Sequence, residues 1–436
     1  MRMQAIIRTR ATAARPAAGA ERQFADRIDR WVLDAARQDR AAFDDLLVAL
    51  PGVYPARVLD ALRRLTAAGA LPPTILARAI EDTQRRPPPM PRMGHRIALP
   101  VPHPLDYDWR FGEEAIDRLL GDCLGLSGPA DPIALVGAPS IMRAAIERDY
   151  PRRAMLLDRN LTLDLAASVR PGDAIVRCDV RWRALPALPA AVVVLDPPWY
   201  GADMCAFLWA AHCLCAVGGH VLMSMPPVGA RPGVTRERAR ILGQARALGF
   251  VAVRTLPAAL PYVSPLFERN ALRAEGLDTV PPEWRRGDLV VLVRESARAL
   301  ARPSPPTGER GGWMEEEIRG VRIRVRRSAP SGDVAPSILP CVPGDILPSV
   351  SRRDGRRLGA DMWTSGNRIF RCRDAHTVAS ILRGLAAGRD PCDDVGAAIG
   401  RHVTHAEAAL ICAVARAIGR IVDLERAEAA LLGGDG

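Results

Sequence analysis

The run Ala191-Val192-Val193-Val194-Leu195-Asp196-Pro197-Pro198-Trp199-Tyr200 places an acid, two prolines and two aromatics directly behind an uninterrupted apolar stretch. Such a stretch reads as a strand buried on both faces, and open α/β sheets bind ligands beyond the carboxyl ends of their strands. The two prolines remove backbone donors and stiffen the turn, so neighbouring carbonyls are left to accept hydrogen bonds from an amino group. Asp196 adds a second acceptor, and Trp199 offers a flat face to a planar ring. Together these residue types suit the holding of an amine, with Tyr200 beside it, for attack on an electrophile.

The elements that must position this turn are legible on either side of it. Ile133-Ala134-Leu135-Val136 reads as a first strand ending at Gly137, and Ile141 to Arg148 as the helix that follows. Met155-Leu156-Leu157 forms a second strand ending in Asp158, 21 positions after Gly137, close to the separation of about 20 residues at which an acid meets a ribose hydroxyl in Rossmann-like folds. Ala174-Ile175-Val176 leads to Cys178-Asp179. Downstream follow a helix from Ala206 to Val217, a strand from His220 to Met225, a helix from Thr235 to Leu248, a strand from Phe250 to Arg254, and a last strand, Leu289 to Val293, introduced by Asp288. Alternating strands and helices predict an α/β domain on a mainly parallel sheet over residues 95–298.

The Asp196-Pro197-Pro198-Trp199 step in this setting resembles the Asp/Asn-Pro-Pro-aromatic signature of class I S-adenosylmethionine-dependent methyltransferases acting on nitrogen, and its form is similar to the adenine-N6 type. The resemblance spans about 200 residues. It implies a Rossmann-like sheet and S-adenosyl-L-methionine as cofactor. Asp196, Pro197, Pro198 and Trp199 would be catalytic, with Trp199 and Tyr200 on the substrate. Gly137, Asp158 and Asp179 would bind the cofactor, Asp179 against its adenine amino group. An aromatic ahead of the first strand, Trp109 or Phe111, would close over the methionine portion; packing of that aromatic between helix and sheet is the alternative. The implied acceptor is the N6 amine of adenine in DNA or RNA, reached in a duplex only by flipping the base out. One departure stands out: the first turn reads Gly137-Ala138-Pro139-Ser140, with one glycine instead of a Gly-rich loop, which leaves open a protein that keeps the fold without catalysis. A small helical module ahead of such a sheet also resembles the branched-polyamine synthases, which transfer aminopropyl groups. Their acidic Gly-Asp-Asp-Asp run has no counterpart at Gly137-Ala138-Pro139-Ser140.

The catalytic sheet is flanked on both sides. Residues 1–20, Arg- and Ala-rich without acids, are expected to form a basic mobile arm. Residues 21–84 carry three helical periodicities, the third starting at Pro55 with Val58, Leu59, Leu62 and Leu65 on its apolar face and Gly69 beyond its end. This fits a winged-helix-like module with Arg57, Arg63 and Arg64 projecting from the last helix, or a plain docking module. A Pro-rich linker is expected at 85–94 and a second linker at 299–312. Residues 313–436 are expected to form an Arg-rich strand followed by a mainly helical region. In that strand Val321, Ile323 and Val325 alternate with Arg322, Arg324 and Arg326, whose guanidiniums are either solvated or aimed at phosphate. Helices follow Asp374 and Thr404, the latter with Glu407 in capping-box spacing.

With 436 residues, 48% of them apolar, the chain can fill real cores and is not intrinsically disordered as a whole. All 60 of its basic residues are arginine and its net charge is +11, a balance that favours phosphate-bearing partners such as nucleic acid. The nine cysteines contain no C-x-x-C pair, which argues against a zinc site or a disulfide framework. The uncharged stretch Met204 to Ala230 is broken by Gly218-Gly219 and Pro226-Pro227 and reads as buried helix, turn and strand, not as a membrane span. His402 and His405 lack nearby acidic or thiol partners in sequence, so no metal is expected. The expected location is cytoplasmic; the oligomeric state is left open.

Overall fold

The computed structural model describes residues 18–38, 40–85, 95–160, 163–183, 185, 188–297, 302–303, 312–329 and 334–431. Residues 1–17 of the basic arm and most of both linkers lie outside the described residues, and residues 18–20 begin the first helix. Helices α1 (Ala18–Ala36), α2 (Phe43–Ala49), α3 (Pro55–Ala67) and α4 (Pro73–Gln84) form an N-terminal module. The central domain opens with β1 (Arg110–Phe111), α5 (Glu113–Gly125), β2 (Ile133–Val136), α6 (Pro139–Glu147), β3 (Ala154–Asp158), α7 (Leu163–Ala167), β4 (Ala174–Arg177) and β5 (Ala190–Leu195). It continues with α8 (Gly201–Leu214), β6 (Cys215–Met225), α9 (Val234–Ala247), β7 (Phe250–Val263), α10 (Leu266–Ala274) and β8 (Arg285–Arg294).

Eight strands make one sheet in the order β1-β7-β8-β6-β5-β2-β3-β4. Strands β4, β3, β2, β5 and β6 run parallel, while β8, β7 and β1 complete the edge antiparallel. The result is mixed α/β and agrees with a Rossmann-like fold, including the antiparallel placement of Leu289 to Val293. The apolar runs are continuous because helices cover both faces. Ile133 and Leu135 of β2 and Val192 and Val194 of β5 pack toward α5 and α6; Ala134, Val136, Val193 and Leu195 pack toward α8 and α9. Burying one such aliphatic side chain contributes about 1.5–3 kcal/mol, so these runs hold the strand ends firmly in place.

The N-terminal module is four helices, one more than the periodicity predicts, and no strand occurs among its described residues. Its core of Phe24, Ile28, Phe43, Leu46 and Leu62 is continuous with Leu272, Leu277 and Trp284 of the central domain. Its arginines are engaged within the module. Arg64 pairs with Asp29 at 2.7 Å, Arg57 with Glu21 and Arg63 with Asp60, both at 3.1 Å.

The C-terminal region combines its helices with a sheet, of which the Arg-rich strand is one member. Strands β9 (Trp313–Ile318), β10 (Val321–Arg326), β11 (Ser337–Pro340), β12 (Met362–Thr364) and β13 (Ile369–Arg373) form an antiparallel sheet ordered β11-β13-β12-β10-β9. Helices α11 (Ala375–Ala386), α12 (Pro391–Ile399) and α13 (His405–Leu431) pack on it around Ile323, Ile381 and Ile418. The capping box forms as its spacing predicts, with the Thr404 N–H donating to Glu407 at 2.8 Å and the Glu407 N–H to the Thr404 hydroxyl at 3.3 Å. A second apolar cluster joins Trp363, Leu347 and Ile369 to Leu105 of the central domain.

Candidate active site

The strand register builds the site. Val136 pairs with Leu157 on one side and with Leu195 on the other, so the next residue along each strand, Asp158, Gly137 and Asp196, falls in one row. Backbone bonds fix that row: the Gly137 N–H donates to the Leu157 carbonyl at 2.9 Å and the Asp196 N–H to the Val136 carbonyl at 3.1 Å. Adjacent strands lie about 4.8 Å apart, so the two carboxylates flank the glycine across a crevice. Here β2 has β3 on one side and β5 on the other, and the strand order reverses, which is where doubly wound sheets bind ligands. Asp179 follows β4, two residues past Arg177, the partner of Asp158.

All three acids line one cavity of about 590 Å³, together with Gly137, Pro197, Pro198, Trp199 and Tyr200. Phe111 does not line it. Phe111 is buried in the core and packs on Tyr262 with ring centroids 4.7 Å apart, while Trp109 reaches the cavity wall. Of the two aromatics singled out ahead of the first strand, Phe111 is thus the packing residue.

A hydrogen-bond chain runs behind the Asp196 turn. The Trp199 indole N–H donates to the Ser224 hydroxyl at 3.2 Å, Ser224 meets the Tyr262 hydroxyl at 2.5 Å, and the Tyr262 hydroxyl donates to Asp196 Oδ1 at 2.6 Å. Each group donates onward, so the chain fixes the indole plane and leaves Asp196 Oδ2 for a further donor. Burial pushes the Asp196 carboxyl well above its ordinary range, and the Asp108 and Asp158 charges push the same way against the Tyr262 bond. Burial likewise raises Asp158 to about 7, against the hydrogen bond it accepts from the Asn160 N–H at 2.7 Å. Asp179 behaves oppositely: burial would raise it, but the bidentate Arg181 holds it below the usual range, with bonds of 2.7 and 2.8 Å.

Gly137 has φ +67°, a left-handed conformation, and a Cβ there would lie 3.1 Å from the Asp196 carbonyl oxygen and 3.0 Å from the Phe207 ring. The single glycine of this turn thus sits where close approach requires one. Pro139 occupies the first position of α6, where its missing N–H costs nothing.

Other wall residues carry no local sequence signal. Arg285 ion-pairs with buried Glu268 and lies 4.8 Å from the ring centres of Trp109 and Trp284 and 5.6 Å from that of Trp199. Asp106, from the segment ahead of β1, receives Arg159 at 2.5 Å, Arg322 at 2.9 Å and Arg324 at 2.8 Å. The C-terminal arginines expected to be solvated or aimed at phosphate therefore include two bound to a buried carboxylate. Burial alone would raise Asp106, yet Arg159, Arg324 and Arg322 hold it far below the carboxylate range. Tyr200 is held from the C-terminal side: its hydroxyl accepts the Arg352 N–H at 2.9 Å and the Arg352 guanidinium lies 4.5 Å from its ring centre.

Among the described residues no cluster of His, Cys, Asp and Glu is arranged to hold a metal ion, and no helix is long and apolar enough to cross a membrane. No protein-family model and no curated protein matches the chain. Solved structures do resemble it. The branched-chain polyamine synthase of Thermus thermophilus, in complex with N4-aminopropylspermidine and 5′-methylthioadenosine, is 13% identical, with 67% of this chain and 97% of that one covered at a TM-score of 0.48. A TehB-like SAM-dependent methyltransferase from Corynebacterium glutamicum is 10% identical, covering 41% of this chain and 87% of its own at 0.27. The antibiotic-resistance methyltransferase Kmr is 17% identical, covering 42% and 98% at 0.25.

Proposed function

We propose that the protein is an S-adenosyl-L-methionine-dependent methyltransferase that acts on an amino nitrogen. The observation that carries this reading is the row Asp158, Gly137, Asp196 at the switch point of the sheet, opening on one cavity. The residues present fit the cofactor: Asp158 keeps an oxygen for ribose hydroxyls, Gly137 leaves room where a side chain would intrude, and Asp179 stands at the next strand end. The bound cofactor supplies an electrophilic methyl on a sulfonium, so the nitrogen–carbon bond forms as the sulfur–carbon bond breaks and the sulfur leaves as a neutral thioether.

The chain's own contribution is positioning and proton acceptance. Asp196 Oδ2 and the Pro197 carbonyl accept the N–H groups of the amine. This draws the lone pair out of conjugation when the amine is exocyclic to a ring such as adenine. Trp199, fixed by Ser224, bounds the acceptor. The carboxylate of Asp196, raised by burial, receives the proton that the nitrogen sheds.

Calorimetric titration of S-adenosyl-L-methionine tests the reading. Asp158 binds donors as a carboxylate and is raised to about 7, so the affinity falls about tenfold per pH unit below 7, and Asp158→Asn removes that slope. Asp196→Ala retains binding and loses methyl transfer. Absence of binding at millimolar cofactor overturns the assignment.

One observation favours a second reading. The cavity walls carry eight carboxylates against six guanidiniums, although the chain has a net charge of +11. An excess of acid suits aminopropyl transfer from the decarboxylated cofactor to a cationic amine. The nucleoside product decides, since methyl transfer leaves S-adenosylhomocysteine and aminopropyl transfer leaves 5′-methylthioadenosine.

A further inference from the structure

We infer that the acceptor is a free low-molecular-weight amine without phosphate, selected by the C-terminal segment Pro348–Arg356 that lines the cavity; this inference rests on the methyl-transfer reading. The cavity is not a groove of the central domain alone. The cofactor row lines it together with Tyr54 and Asp60 from the N-terminal module and Ser349, Val350, Ser351 and Asp354 from the C-terminal module.

The C-terminal wall is clamped to the catalytic turn. Arg352 gives its N–H to the Tyr200 hydroxyl, places its guanidinium 4.2 Å from the Tyr107 ring centre and 4.5 Å from that of Tyr200, and pairs with buried Asp203 at 2.7 Å. Arg357 donates to the Tyr107 hydroxyl at 2.9 Å. Tyr200, an aromatic of the cavity wall, is thus engaged by the chain itself.

The charge at the mouth points the same way. Asp60, Glu275 and Asp354 stand there with Arg57 and Arg356, and those arginines are already bound, Arg57 to Glu21 and Arg356 to Asp354 at 2.6 Å. A base carried on a strand would bring its flanking phosphates against Glu275 and two ion pairs, Asp60 with Arg63 and Asp354 with Arg356, while Arg57 is held by Glu21. Phosphate-bearing acceptors need free cations at that position. A discrete amine meets no such conflict and fits the space beyond the cofactor row in a cavity at the small-ligand scale.

The test uses the full chain and methyl-labelled S-adenosyl-L-methionine with adenine, adenosine, putrescine and spermidine, against single-stranded DNA and RNA oligonucleotides of matched adenine content. Label is expected in at least one of the small amines and not in the oligonucleotides. Val350→Phe and Ser351→Phe, each checked by thermal unfolding, are expected to raise the acceptor KM at least tenfold while the donor Kd stays within twofold. Preferential labelling of an oligonucleotide overturns the inference, as do unchanged acceptor KM values in both folded variants. Donor binding without labelling of any small amine overturns the inference alone, whereas loss of donor binding in the parent protein overturns the methyl-transfer reading and the inference with it.

Discussion

Asp196 and Asp158 are carboxylates of the same row, yet their immediate partners set them to different tasks. Asp196 takes a phenolic hydrogen bond on one oxygen, whereas Asp158 takes a backbone N–H. A hydrogen bond to a charged group contributes about 1.5–3 kcal/mol, equivalent to about one to two pH units. Tyr262 favours the ionised form of Asp196, so Tyr262→Phe raises its pKa and moves the acid limb of the kcat/KM profile up by about that amount, with donor affinity unchanged. A steady-state pH series checks this; an unmoved limb excludes Asp196 as the proton acceptor. The acids themselves were readable from the sequence because each follows an apolar run that must end at a sheet edge. Tyr262 and Ser224 were not, since they meet Asp196 and Trp199 across 66 and 25 residues and nothing in their neighbouring residues marks them. Phe111 shows the converse: an aromatic at the right place in the sequence was drawn into the core by α5 and β7.

At the level of elements, what decides the site is whether two strand ends and a turn can approach. Gly137 is the point of closest approach, and Gly137→Ala places a methyl near the Asp196 carbonyl while forcing an L-residue into a left-handed conformation. The expected cost is about 1–3 kcal/mol, visible as a lower Tm and weaker donor binding; a Tm equal to that of the parent shows that the turn relaxes freely. Strands β2, β5 and β8 were legible because burial on both faces writes a run of four or more aliphatics, whereas only the first part of the half-exposed β7 was. Strands β11, β12 and β13 were not, being three to five residues long and carrying Pro340, Thr364 and Arg371. Such short segments have no alternation to detect and owe their place to partners far off in the chain. Helix α4 escaped notice for a related reason: Pro72-Pro73 reads as a break, although a proline at the first turn is compatible with a helix start.

For the whole molecule, the central fact is the sharing of Asp106. Arg322 comes from 216 residues away, and no local pattern could have named its partner. Removing Arg322 takes one of three guanidiniums from Asp106 and leaves Arg159 and Arg324 in place, and a hydrogen bond to a charged group contributes about 1.5–3 kcal/mol. Arg322→Met is therefore expected to destabilise the parent by an amount in that range, and much less in an Asp106→Asn background, as urea denaturation of the four proteins of this cycle measures. Equal losses in both backgrounds exclude the coupling. Because Arg159 bonds Asp106 and directly follows Asp158 in the chain, the parent carrying Arg322→Met is also expected to lose donor affinity.

His103 extends the same grip. Its ring is fully buried, with Nε2 against the Trp363 carbonyl at 3.1 Å and Nδ1 accepting the Leu105 N–H at 3.2 Å. A fragment cut after β8 would strip two of the three counter-ions from Asp106, uncover this imidazole and release Tyr107 and Tyr200 from Arg352 and Arg357. Silence from such a truncated chain would measure surgical damage, and dissecting this polypeptide for biochemistry calls for point changes in an intact chain.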